Sequence, residues 1–380
     1  MSEPGMRRLW APAWAGAMLA LAALVLTVPG SEAQRQLEWE WPNTDFDTTL
    51  IDLDEVMSGE PPKDAIPAID APKFVSVEAA AQWLHDQEPV IVVATDSLVR
   101  AYPLQILMFH EIVNDELDGL PLSITFCPLC NATIVFRRQI GDVVLDFGTT
   151  GRLRKSDLVM YDRQTESWWQ QFSGRGIVGE YAGTVLDRYP ASIVAFAEFR
   201  AAHPGADVLS RDTGHRRPYG QNPYRGYDSI TDRPFLFFDP VDPRLPPMEY
   251  VLNISIADTH RLYAFSDFSE SPVVNDVVDG HPAVVMSKQG TLSALDDSDI
   301  ASSRLMPSAT AFIRTVEGTV LSFFDSSGKV VNEQTGSTWN LLGRATSGAY
   351  VGTQLDTVPS GVHFAFAWLA FNPDSEIYGR

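Results

Sequence analysis

The chain's only two cysteines stand three residues apart, in Cys127-Pro128-Leu129-Cys130. Three kinds of chemistry suit that spacing. The first is a metal knuckle, a tight turn that gathers both sulfurs and lets successive backbone N–H groups stabilise the thiolates. Asn131 follows the second cysteine and tolerates the left-handed conformation such a turn requires. The second is a thiol–disulfide redox couple. The thioredoxin arrangement, in which the first cysteine opens a helix, fits poorly, because Ala132-Thr133-Ile134-Val135-Phe136 reads as a strand. The third is an inert bridge, whose entropic stabilisation is small because the loop it closes is so short.

The metal reading needs more ligands than two sulfurs. His110, in Met108-Phe109-His110-Glu111, is the natural third ligand. The fourth position is then open, or filled by His203, His215 or Asp157. Thiolate plus imidazole suits a zinc or copper ion better than magnesium or calcium. Glu111 is a candidate for supporting the ligands or for moving protons. A basic stretch, Arg152 to Asp157, is followed by Tyr161-Asp162-Arg163. Arg154, Asp157, Tyr161 and Asp162 are therefore candidate polar groups near the site, forming a rim for an anionic or polar ligand. A solvated loop with local ion pairs is the simpler account of the same residues. His85, His260, His281 and His363 show no partner pattern and read as structural. No nucleophile–base set and no glycine-rich phosphate loop is present, so no catalytic residue is assigned and no nucleotide cofactor is expected.

The elements that must position these groups come in two copies. Arg100-Ala101-Tyr102 returns as Arg261-Leu262-Tyr263, and at the same offset Val113-Asn114-Asp115 returns as Val274-Asn275-Asp276. Asp118-Gly119 returns as Asp279-Gly280, and Thr165, Ser167 and Trp169 return as Thr335, Ser337 and Trp339. This pattern predicts an α+β fold, predominantly β, made of two homologous halves from an internal duplication with a degenerate second half. The expected divisions are an extended N-terminal arm at 34–71, a first repeat at 72–210, an ordered Pro/Tyr-rich strap at 211–245 and a second repeat at 246–380. Strands are expected at Val90–Ala94, Leu122–Phe126, Thr133–Phe136, Val143–Phe147 and Val251–Ile256, and helices at Ser76–Asp86 and Ile193–Ala202.

The two copies act as a control on each other. Residues kept in both are expected to be framework, and residues present in one are candidates for chemistry. Lys288 and Thr291 stand where the first half has Cys127 and Cys130, Ser271 stands for His110, and Pro272 for Glu111. The segment Arg152–Leu158 has no counterpart. The site is expected in the first half alone.

The N-terminus carries Arg7 and Arg8, an apolar run from about Ala13 to Val28, and the small-residue pattern Ser31-Glu32-Ala33. That order predicts a signal peptide at 1–33 with cleavage after Ala33, hence an exported protein, periplasmic, secreted or at the cell surface, with no stable membrane insertion afterwards. Residues 1–33 carry Arg7, Arg8, Glu3 and Glu32, so the net charge of −21 is the same with or without them. Such an acidic chain repels phosphate backbones, and no nucleic-acid partner is expected. The small ligand or metal-exchange partner is not specified by the sequence.

These motifs together resemble the bacterial family catalogued as domain of unknown function 3179. The resemblance rests on Ala101-Tyr102-Pro103-Leu104, His110 to Asp115, Thr125 to Cys130, Ser156-Asp157-Leu158, Tyr161-Asp162-Arg163, and Trp169 with Gln171, and covers roughly residues 60–245. It implies that the His and Cys positions matter and supplies no reaction. The reading is thus a metal-binding protein with Cys127, Cys130 and His110 as ligands. A thiol–disulfide oxidoreductase and a non-catalytic binding module with a structural disulfide stand as alternatives.

Overall fold

The computed structural model describes residues 32–380. The expected leader up to Ser31 lies outside the described residues. Two compact units divide at Pro42. The described part of the first holds a helix, Glu32–Glu40, where an extended arm was expected. The second unit, from Asn43 on, contains everything else. No helix among the described residues is long and apolar enough to cross a membrane.

The protein is β-rich, with 40% strand against 12% helix. Three larger sheets, with a two-stranded pair of Gln139–Ile140 and Val143–Val144, cover residues 56–209. One runs in the order Val56–Ser58, Phe147–Arg154, Asp157–Asp162, Trp168–Gln170, Arg175–Val178. A second pairs Ile112–Leu117 with Leu120–Cys127 and that strand with Ala132–Arg137. The third is built on Pro89–Ala94 and Val99–Pro103. In each, β-branched and aromatic residues fill the buried faces. Residues 250–377 hold sheets of the same plan: Tyr250–Ile256 with Thr259–Ala264, then Val273–Val278, His281–Leu292 and Leu305–Ile313, then Phe323–Asp325, Val330–Asn332 and Thr338–Trp339.

The residues that recur in sequence make recurring bonds. Asp115 accepts from Arg100 at 2.8 Å and from the Tyr102 hydroxyl at 2.6 Å, and Asp276 accepts from Arg261 at 2.8 Å and Tyr263 at 2.7 Å. The Asn114 amide brackets the backbone of Phe147 as Asn275 brackets Phe323. Trp169 donates to Asp162, and Trp339 to Asn332. The turns Asp118-Gly119 and Asp279-Gly280 have positive φ at both residues, the requirement of a two-residue hairpin turn. One hydrophobic cluster joins Val90 and Phe196 to Val284 and Phe312, so the two sets of sheets share a core.

Two predicted elements differ. Ile193 to Ala195 is strand rather than helix: β-branched Ile193 and Val194 pair with Val90 and Ile91, and the helix begins at Phe196. The helix expected at Ser76–Asp86 is confined to Val77–Ala80, capped by Ser76 and followed by three-residue turns. The run Val143–Phe147 also divides, because Leu145 turns inward while Phe147 opens a different strand. The stretch 211–245 crosses the fold without strands, half-burying Tyr219, Tyr224, Tyr227 and Phe237 against the core and leaving Phe238 74% exposed.

Candidate metal-binding site and adjoining cleft

The two cysteines flank a single 3-10 turn, Pro128–Cys130, at the tip of the hairpin formed by Leu120–Cys127 and Ala132–Arg137. Pro128 supplies the fixed φ of the first turn residue, and Asn131 closes the turn in the left-handed region at φ 46°. Both sulfurs are buried free thiols. Cys130 Sγ donates to the Ser156 carbonyl at 3.5 Å, and Cys127 Sγ approaches the same oxygen at 3.9 Å. Burial pushes both thiols above the usual range, Cys130 further.

Ser156 and Asp157 arrive on a second hairpin, Phe147–Arg154 with Asp157–Asp162. Its two-residue turn, Lys155-Ser156, has φ of 53° and 68°, left-handed at both positions without a glycine. A non-glycine residue held there costs on the order of 1 kcal/mol. The hairpin Phe323–Asp325 with Val330–Asn332 is shorter and turns through Ser327-Gly328, also left-handed at both positions, but with a glycine and with Lys329 rather than an aspartate after it.

Asp157 is wholly buried. Its Oδ2 accepts from Gln170 Nε2 at 2.6 Å and from the Phe172 N–H at 2.8 Å. Its Oδ1 is buried without a hydrogen-bond partner among the described residues. Burial raises the acid to about 7, against the opposing pull of these hydrogen bonds. Cys127, Cys130 and Asp157 each present one ligand atom, all within 4.8 Å of one another. Bonds of 2.0–2.3 Å in a tetrahedral site place ligand atoms roughly 3.5 Å apart. A contraction of about 1 Å would complete that arrangement.

Glu111 sits at left-handed φ of 57°, its backbone locked by Leu107 and Phe126. It is only 7% exposed. Burial, reinforced by Asp157, raises its acid to about 8. Its carboxyl lines a cleft of about 590 Å³ whose walls include Leu129 of the cysteine turn, Leu153 of the hairpin and Tyr224, Tyr227 and Phe235 of the 211–245 strap.

A family model described as "Protein of unknown function (DUF3179)" matches residues 63–375. The chain belongs to DUF3179. The match runs through the second set of sheets, well past the 60–245 over which the motifs were recognised. Comparison with curated proteins and with solved structures found no match.

In this DUF3179 chain, the residues singled out from sequence separate into two groups. Asp157 joins the sulfurs. His110 lies outside that three-residue group: its Nδ1 donates to the Pro67 carbonyl at 2.7 Å, and its Nε2 faces the Tyr219 hydroxyl at 2.6 Å. A carbonyl only accepts, which fixes the proton on Nδ1 and makes Tyr219 the donor to Nε2. Burial lowers His110 to about 4, so the ring is neutral. It ties the 43–71 stretch to the strap. His215 lies beside it, ring centroids 5.5 Å apart, and His203 packs on Phe199. Arg154 pairs with Glu55 and touches Gln170, Tyr161 donates to Asp64, and Asp162 accepts from Trp169 and Thr165. These three are tied into the framework of the first sheet. Sequence reasoning missed Gln170, which aims Asp157, and the strap tyrosines, which wall the cleft. Only their crowding around an otherwise unpatterned segment could have signalled the latter.

Proposed function

We propose that this DUF3179 protein binds a thiophilic metal ion through Cys127, Cys130 and Asp157. The observation that carries the reading is a fully buried Asp157 whose Oδ1 has no hydrogen-bond partner among the described residues and whose carboxylate groups with both thiols, ligand atoms within 4.8 Å of one another. A buried polar oxygen left without a partner costs about 1–3 kcal/mol, which a metal bond would recover. Two sulfurs and a carboxylate oxygen suit zinc better than monovalent copper, for which softer ligands are preferred. Three protein ligands leave a fourth position free, and an ion there would supply Lewis-acid chemistry. Glu111 is an acid–base group electrostatically coupled to Asp157 and so to that chemistry.

The oxidoreductase reading is less favoured, because both sulfurs are buried from a partner's disulfide and burial disfavours the attacking thiolate. The structural-bridge reading finds no support in two free thiols. We further propose that the chain is exported with cleavage after Ala33, on the order of basic, apolar and small residues at its start. We also propose that its halves arose by duplication; the paired bonds of Asp115 and Asp276 and of Asn114 and Asn275 support this.

The test is elemental analysis of protein purified without chelator, with Cys127→Ser and Asp157→Asn alongside. The expected result is one zinc per chain, lost in both variants. Full zinc occupancy in Asp157→Asn would remove the aspartate from the ligand set, and absence of metal together with thiols that cycle readily would restore the redox reading. N-terminal sequencing of the exported protein checks the cleavage site.

A further inference from the structure

We infer that the cleft walled by the strap is a binding site for a small planar organic molecule whose N–H or O–H group donates to the carboxyl of Glu111. This inference rests on the cleft alone and holds for metal-free protein.

The first observation is the state of Glu111. Its residue is 93% removed from solvent, and its carboxyl hydrogen-bonds to no group among the described residues, yet it lines the cleft. Its neighbour His110 has both ring nitrogens engaged, and Asp157 has two donors on one oxygen. Glu111 thus faces the cleft rather than a protein donor, on a backbone held in the left-handed region. A ligand donor entering the cleft would meet it directly.

The second observation is the shape and lining. About 590 Å³ lies within the range of small-molecule sites. The walls are mainly apolar: Pro61, Leu129, Leu153, Tyr224, Tyr227 and Phe235. Flat aromatic walls favour a planar guest by stacking or edge contact. The Glu111 carboxyl among them selects for a donor on that guest. The arm side of the cleft is closely fitted, since a methyl group on Gly151 would lie 1.8 Å from the Pro61 carbonyl oxygen. Leu129 lies between the two cysteines, so a molecule in the cleft rests against the turn that carries the sulfurs.

The opposite chemistry is disfavoured here. A carboxylate guest would meet Glu111 on the wall, while the half-buried Arg152 of the same wall is engaged over the Trp168 ring, 5.5 Å from its centroid. Arg225 and Asp232 lie exposed at the mouth with opposite charges and impose no net preference.

The probes are benzamidine, benzamide and benzoate, one planar ring carrying a cationic donor, a neutral donor and no donor. Binding to chelator-treated full-length protein is measured by calorimetry and ligand-observed NMR at pH 8. Benzamidine and benzamide are expected to bind, and benzoate at least about tenfold more weakly. Glu111→Gln is expected to weaken benzamidine by about tenfold while sparing benzamide, because the amide oxygen still accepts. Phe235→Ala, an exposed wall position, should weaken both donors and leave the melting temperature nearly unchanged. Equal binding of all three probes, no binding of any, or unchanged affinities in both variants overturns the inference. Metal content plays no part in these readouts, so their failure leaves the zinc proposal standing, and failure of the zinc proposal leaves them intact.

Discussion

Gln170 Nε2 holds one oxygen of Asp157 at 2.6 Å, and Arg154 in turn reaches the Gln170 Oε1 at 3.3 Å. This chain of contacts leaves the other oxygen of Asp157 without a hydrogen-bond partner among the described residues, on a carboxylate grouped with both sulfurs. Residues that orient a ligand commonly account for about tenfold to hundredfold in metal affinity. Gln170→Leu, close in volume, should weaken zinc binding by that factor while the far-ultraviolet dichroism stays unchanged. Competition against a chromogenic chelator measures it, and an unaltered affinity would show that Gln170 does not set the aspartate.

Metal uptake should rise with pH. Protons compete for every ligand: both thiols lie above their usual range and Asp157 is raised to about 7. Apparent zinc affinity is expected to climb steadily from pH 6 to pH 9, with protons released on binding. A chelator competition series with a proton-release assay in weak buffer tests this, and a flat profile would exclude the thiols as ligands.

Stability of the metal-free protein should fall on the acid side. Burial depresses His363 to about 3 and His110 to about 4, below the unfolded value of 6.5. The unfolded chain therefore binds the extra protons first, and stability present at pH 7 is lost as pH falls below 6.5. At pH 5 this amounts to roughly 2 kcal/mol for each histidine. Glu111 works in the other direction: its acid is raised to about 8, so its contribution is full below about pH 4.5 and lost as pH rises through 8. Urea midpoints from pH 4 to 9 should show a maximum between these limits. His363→Phe should lift the acid limb alone, and Glu111→Gln the alkaline limb alone.

The Lys155-Ser156 turn offers a stabilising change at no cost to the site. Asn-Gly is the preferred pair where both residues have positive φ. Lys155→Asn with Ser156→Gly keeps the carbonyl that faces the sulfurs and removes backbone strain. It forfeits the partly exposed ion pair of Lys155 with Asp239 and the long Lys155 contact to the Ala370 carbonyl at 3.5 Å, each worth little. A gain of about 1 kcal/mol is expected in urea unfolding, and a loss would mean that the serine side chain supports the turn.

Much of this was legible from residue order, for reasons that differ by element. The cysteine turn was readable because its geometry is local: proline, three-residue spacing and a following asparagine specify it with no help from elsewhere. Comparing the two stretches of sequence singled out the Arg152–Leu158 segment, which carries Asp157 beside the sulfurs. The same comparison marked His110, whose partners turn out to be Pro67 and Tyr219. Absence from one half shows that a residue is not shared framework, but it does not say which neighbour it meets across the fold. The helix expected at Ile193 failed for a related reason. A period of apolar residues cannot reveal that Val90 and Ile91 lie alongside, waiting to pair.

The strap that walls the cleft is fastened on either side of Tyr224 and Tyr227 by residues made much later. Buried Asp228 is held by Arg304 at 2.6 Å and by the Ser293 hydroxyl, and the Asn222 N–H donates to the Ser298 carbonyl. During synthesis the sulfurs appear some 170 residues before the fastening is available, a distance read directly from Cys130 and Arg304. In the finished fold Tyr224 and Tyr227 of that strap stand near both thiols. If an ion binds there, the order of assembly is expected to show in loading rate rather than affinity: an ion present during folding should be taken up faster than one added to the finished protein.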